Sequence, residues 1–157
     1  MSKIKVAVVG ATGMVGNMFL KVLEEKKLPI DEYVLFASDR SKGKKINFMG
    51  KEYPIHVLNE NSFDEGFDYA LFSAGGSTSL KYSPIAASKR CIVIDNSSAF
   101  RMDPNVPLVV PEVNPEDIFK NQGIISNPNC STIQAVVSLK PLHDKYCIKR
   151  IIYSTYQ

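Results

Sequence analysis

The sequence predicts an α/β fold built on a doubly wound, mostly parallel β-sheet. Three observations predict it. Short β-branched runs alternate with helical patterns, their connections are short, and the first run ends in a glycine-rich turn that opens a helix. The chain has 157 residues, which suits one domain, or one domain and the beginning of a second. Hydrophobic residues make up 45% and charged residues 22%, enough apolar material to bury a real core.

The elements follow in order. Ile4 to Val9 is an apolar run ending at Gly10, as a buried parallel strand ends. From Met14 to Lys27 the residues Val15, Phe19, Val22 and Leu23 fall at helical spacing, and Pro29 closes the helix. Tyr33 to Ala37 is the second strand. Lys44 to Val57 reads as a small hairpin turning near Gly50 and Lys51. Tyr69 to Phe72 is a strand, followed by Gly75, Gly76 and a helix through Ile85 to Ala87. Cys91 to Asp95 is the next strand. Leu108 to Val110 and Gly123 to Ser126 are shorter strands around a helical turn at Pro115 to Phe119. Ser131 to Leu139 is helical with Pro141 near its end, and Lys149 to Tyr156 alternates like a strand.

Composition narrows the function classes. A net charge of +3 is small and scattered, and the one basic cluster, Arg40 to Lys45, is short, so no nucleic-acid partner is expected. No apolar run reaches the ~18 residues that span a bilayer, and the N-terminus lacks the apolar stretch of a signal peptide. Three cysteines, Cys91, Cys130 and Cys147, show no framework spacing and no Cys-x-x-Cys pair. They read as reduced thiols of a cytoplasmic protein, and no metal is expected.

Gly10, Gly13 and Gly16 form a G-x-x-G-x-x-G turn between a strand and a helix, the context that a dinucleotide fingerprint requires. Glycines let the backbone approach a pyrophosphate, and the N–H groups of the helix start hold its charge. Thr12, Met14 and Val15 ride on the same turn and join the candidate cofactor contacts. A Rossmann-like sheet follows. The end of the second strand carries both Asp39, suited to ribose hydroxyls, and Arg40, suited to a 2′-phosphate. Flanked by Ser38 and Ser41, Arg40 favours NADP(H) over NAD. Ser73, Ala74, Gly75 and Gly76 repeat the arrangement after a later strand. Taken alone, that stretch reads as a loop turning into a helix.

Pro128 forces a turn in Asn127-Pro-Asn-Cys130, and the helix starts at or just after Cys130. A sulphur there sits at the positive end of the helix dipole, which favours the thiolate and suits an acyl-transfer nucleophile. Cys91 and Cys147 instead open apolar runs and are expected in the core.

Taken together, Gly10 to Gly16, Phe72 to Gly76, Asp95 to Met102, Val110 to Asn114, Asn127 to Thr132 and Ser154 to Gln157 resemble, in this order, aspartate-semialdehyde dehydrogenase. That family reduces aspartyl-4-phosphate with NADPH to aspartate semialdehyde and phosphate, on the route to lysine, threonine and methionine. The resemblance implies that Cys130 attacks the acyl phosphate and that the resulting thioester accepts hydride. It places Arg101 on the substrate phosphate, Asn129 near the acyl oxygen, and Gln157 as the group orienting the acyl intermediate. A guanidinium just beyond a strand can grip phosphate bidentately, which agrees.

The resemblance also divides the chain into an NADP-binding domain over residues 1–128 and, over 129–157, the first elements of a truncated α+β catalytic and dimerisation domain of a homo-oligomeric enzyme. The family's acid/base histidine matches neither His56 nor His143, so the chain alone is expected to be inactive. Two alternatives stay open: an enzyme like acetylglutamyl-phosphate reductase, against which Asn129 and Ser131 speak, and a non-catalytic NADP-binding module.

Overall fold

A computed structural model describes residues 3–156. Its core is a seven-stranded sheet in the order β3-β4-β2-β1-β5-β6-β7. The strands are β1 (Lys5–Val9), β2 (Glu32–Ala37), β3 (Lys45–Phe48), β4 (Lys51–Val57), β5 (Tyr69–Phe72), β6 (Ile92–Asp95) and β7 (Ile124–Ser126). Every pairing is parallel except β3 with β4. The hairpin turns at Met49 and Gly50, both at positive φ (51° and 71°), the twist that a two-residue β-turn demands. Beyond forming the hairpin, β4 pairs in parallel with β2 and so extends the main sheet. The sequence pattern did not reveal that second pairing.

One face of the sheet buries Val6, Val8, Leu35 and Ile55 under α1 (Met14–Lys26). The other buries Ala7, Val9, Phe72 and Val93, with α2 (Gly76–Ser88) and the Phe63 and Phe67 rings packed on it. Phe36, Phe63, Phe67 and Phe72 touch one another ring to ring at about 6 Å. Fully burying such a ring contributes about 1.5–3 kcal/mol.

Four expectations need correcting. Along α1 the buried residues are Gly16, Leu20 and Leu23, while Val15 and Val22 are about 40% exposed. Gly16 sets that roll, because a Cβ on it would lie 2.1 Å from the Gly10 carbonyl oxygen. The helix can approach β1 closely only along that line. Leu108 to Val110 is not a strand: one bridge, Leu108 to Ser126, forms between Pro107 and Pro111, and prolines cannot donate to a ladder.

The third helix, α3 (Cys130–Tyr146), runs well past Leu139 and through Pro141. None of its residues is fully buried, and at that surface position the missing proline N–H is tolerated. Lys149 to Tyr156 forms no strand, since no described strand lies beside it to supply a ladder. The Tyr153 hydroxyl instead donates to the Ser131 carbonyl at 2.7 Å. No helix among the described residues is long and apolar enough to cross a membrane.

Candidate functional site

The chain leaves β1 towards β2 and β4 but leaves β5 towards β6 and β7, so the loops beyond β1 and β5 diverge. A doubly wound sheet opens a ligand crevice at the carboxyl ends of such a strand pair. The two glycine loops are its lips. Gly10 has φ +88°, and a Cβ there would sit 2.3 Å from the Ser73 carbonyl oxygen. Backbone therefore lies directly on backbone across the switch point. The Gly10 and Ala11 N–H groups both donate to the Phe36 carbonyl, tying the loop to β2 as well.

α1 and α2 begin after Gly13 and Gly75, and neither cap residue supplies a side chain to the first turn. Both helix starts thus present N–H groups to a ligand's charge. Gly76 carries the stronger message. Its φ lies outside the left-handed region and a Cβ there would meet nothing within 4 Å, so neither conformation nor protein packing calls for glycine. Open backbone at that point fits a closely approaching pyrophosphate.

A cleft of about 230 Å³ is lined by Val9, Gly10, Ala37, Ser38 and Ala74, bringing together pieces of all three sequence segments. Leu58, Thr78 and Tyr82 complete it and were not foreseen. The i, i+4 spacing of Thr78 and Tyr82 just after the second glycine pair was the available signal. Thr12 and Ser41 hydroxyls lie 3.2 Å apart, fastening the first loop to the turn after β2. Ser41 is therefore buried, whereas Ser38, Asp39 and Arg40 are exposed on the Asp39–Ser41 turn.

A second cluster sits beyond β6 and β7. Arg101 Nε donates to the Asn127 carbonyl at 2.9 Å, and its Nη2 donates to the Asn96 carbonyl at 3.1 Å. Asn127 is three residues before Cys130, so Arg101 and the start of α3 share one support. Cys130 is the first residue of α3 and is exposed. Asn129 is the N-cap, its Oδ1 accepting the Ser131 N–H at 3.0 Å. Gln157 lies outside the described residues.

The other titratable candidates lie elsewhere. Cys91 is buried, and burial pushes its thiol up to about 12. Cys147 is exposed rather than in the core. It caps the far end of α3 in a left-handed conformation, its N–H donating to the His143 carbonyl. His143 lies in the last turn of α3, thirteen residues and roughly 20 Å of helix from Cys130. His56 is on β4 beside Phe36.

The family model for the semialdehyde dehydrogenase NAD binding domain matches residues 5–121. The chain belongs to this family. It is similar to the aspartate-semialdehyde dehydrogenase of Aquifex aeolicus, 65% identical over 156 residues, 98% of this chain and 46% of the relative. The Bacillus subtilis enzyme of the same name is 53% identical over 152 residues, 97% of this chain and 44% of the relative. Aspartate semialdehyde dehydrogenase II from Vibrio cholerae, solved in complex with ASA, superposes with a TM-score of 0.84 at 49% identity, covering 91% of this chain and 47% of that one. Aspartate semialdehyde dehydrogenase from Candida albicans, solved with NADP, gives 0.79 at 28% identity, covering 92% and 48%. The chain thus spans about half the length of these family members. It has the α/β, Rossmann-like fold of their nucleotide-binding part and carries a nicotinamide-nucleotide domain.

Proposed function

We propose that this chain supplies the NADP(H) site and the nucleophile for NADPH-dependent conversion of L-aspartyl-4-phosphate to L-aspartate 4-semialdehyde, a step towards lysine, threonine and methionine. The observation that carries the proposal is the joining of Arg101 to the Cys130 helix start, next to a crevice built from two glycine loops. In this reading residues 1–128 are the nucleotide domain, and residues 129–157 begin the catalytic and dimerisation domain of a cytoplasmic homo-oligomer.

Arg101 holds the substrate phosphate through N–H groups not engaged by Asn127 and Asn96. The Cys130 thiolate attacks the acyl carbon, a C–S bond forms, and the C–O bond to phosphate breaks with its electron pair leaving on inorganic phosphate. Asn129 holds the N-terminal turn of α3 in place beside the acyl oxygen, and Gln157 orients the acyl group. Gly10, Thr12 to Gly16, Ser38, Arg40, Ser41 and Ser73 to Gly76 would hold NADPH, which would supply hydride for reduction of the thioester to the aldehyde with return of the Cys130 thiolate. A general acid/base must come within about 3 Å or act through one water. His143, at the far end of α3, and His56, on β4, are not placed for that role.

Two experiments test the reading. Titration should show NADPH binding this chain more tightly than NADH, with the preference largely erased in Arg40→Ala. A charge-assisted contact of about 1.5–3 kcal/mol corresponds to roughly 10–100-fold. Equal affinities in the unaltered chain would remove NADP from the assignment. Incubation with aspartyl-4-phosphate and no NADPH should leave an aspartyl adduct on Cys130, detected by peptide mass and absent in Cys130→Ser. An adduct that persists in C130S, or maps to Cys147, would dismiss Cys130 as the nucleophile.

A further inference from the structure

Asp95 closes β6 and is completely buried, an unusual place for a carboxylate unless its oxygens are occupied. Three hydrogen bonds occupy them. Oδ1 accepts from Ser79 Oγ of α2 at 2.7 Å and from the Ser97 N–H at 3.1 Å, and Oδ2 accepts from Ser97 Oγ at 2.7 Å. Ser97 Oγ accepts in turn from the Ala99 N–H at 3.0 Å. Asp95 thereby winds the loop from Asn96 to Ala99 into one shape.

That loop delivers one half of a clamp. The Asn96 carbonyl takes Arg101 Nη2, the Asn127 carbonyl takes Arg101 Nε, and Asn127 Nδ2 donates to Asn96 Oδ1 at 2.6 Å. The Asn127 N–H also donates to the Asp95 carbonyl at 2.8 Å. Of a guanidinium's five donors, two form a side edge (Nε with Nη2), two form an end edge (Nη1 with Nη2), and the fifth, on Nη1, faces back along the side chain. The two carbonyls consume the side edge. The end edge is left to grip an oxyanion with two parallel hydrogen bonds.

We propose that Asp95 is a positioning residue: its carboxylate, through Ser97, holds the loop whose Asn96 carbonyl joins that of Asn127 in clamping Arg101, which aims the arginine's end edge and fixes it relative to Cys130. This rests on the reading of Arg101 and Cys130 as partners in one site. Asp95 touches no substrate. Its effect reaches the chemistry only through where the arginine charge stands.

The test is the ratio of Cys130 alkylation rates by iodoacetate, which is anionic, and iodoacetamide, which is neutral, using the purified chain and peptide mapping. Loosening of the helix start changes both rates together, whereas moving a positive charge changes their ratio. Arg101→Ala should lower the ratio about two- to threefold, the effect of one charge several ångströms away in water. Ser97→Ala should lower it towards the R101A value with the chain still folded, and Ser97→Thr, which keeps the hydroxyl, should restore it. Asp95→Asn should match S97A. Should D95N fail to fold, the S97A and S97T pair decides alone. A wild-type ratio in S97A overturns the positioning role. An unchanged ratio in R101A instead overturns the shared Arg101 and Cys130 site, so the two failures are told apart.

Discussion

Gly10→Ala should cost the chain about 2–5 kcal/mol, a large part of the 5–15 kcal/mol that holds a typical domain together. Two penalties coincide at this position. With φ +88° an alanine is strained by about 1–2 kcal/mol. Its Cβ would also lie 2.3 Å from the Ser73 oxygen and 2.7 Å from the Ser73 carbonyl carbon. These are backbone atoms at the exit of β5, so they cannot rotate aside as a side chain would. Relief requires β1 and β5 to part at the crevice, and nucleotide affinity should fall with stability. Gly43→Ala is the control, since Gly43 has φ +77° but a Cβ there meets nothing within 4 Å. Urea midpoints should separate the two variants by roughly 1–3 kcal/mol. Equal losses would mean that strain alone matters and that the close contact at the switch point is not tight.

Alkylation should modify Cys130 first, Cys147 later, and Cys91 only on unfolding. Cys91 is buried, and with its thiol pushed up to about 12 only about one molecule in 10⁴ is thiolate at pH 8. The order of the other two is a cleaner physical question, because both are exposed and they stand at opposite ends of α3. Cys130 opens the helix and Cys147 caps its end, so the partial charges of the helix attract an anionic sulphur at one and repel it at the other. Each terminus contributes about 0.3–1 kcal/mol, which together amounts to between threefold and thirtyfold in rate. Peptide mapping over a time course at low salt gives the order directly. If Cys147 reacts before Cys130, the dipole is not what governs this helix.

The reading of Cys130 as the start of a helix came from four residues. Pro128 holds Asn127 extended and forces a turn, and the structure adds the Asn129 side chain, which caps the helix by accepting the Ser131 N–H. Such signals act within one turn of chain, so they survive whatever the rest of the fold does. The hairpin at Met49 and Gly50 and the strand-turn-helix around Gly10 were legible for the same reason. Arg101 was legible only by resemblance. Nothing local distinguishes it from a surface arginine, since its partners, Asn96 and Asn127, lie five and twenty-six residues away.

Cys147 shows the opposite failure. An apolar run follows it, as a core strand would require, yet Lys149 to Tyr156 finds no neighbouring strand among the described residues. The alternation was real and its consequence did not follow, because a strand exists only where a second backbone accepts its hydrogen bonds.

By itself the sequence determined the alternating parallel architecture, the glycine turn after β1, the helix start at Cys130 and the absence of any long apolar span. Each is written in contacts a few residues apart, where sterics, capping and side-chain period leave little choice. Tertiary structure alone decided which face of α1 is buried, that β4 joins the main sheet, that Leu58, Thr78 and Tyr82 close the cleft, and that Arg101 hangs from two carbonyls. Those outcomes depend on backbones brought together from distant points, such as Gly16 against Gly10 and the Asp95 loop against Asn127. Their energies come from close approach and burial, which no stretch of chain possesses until its neighbour has arrived.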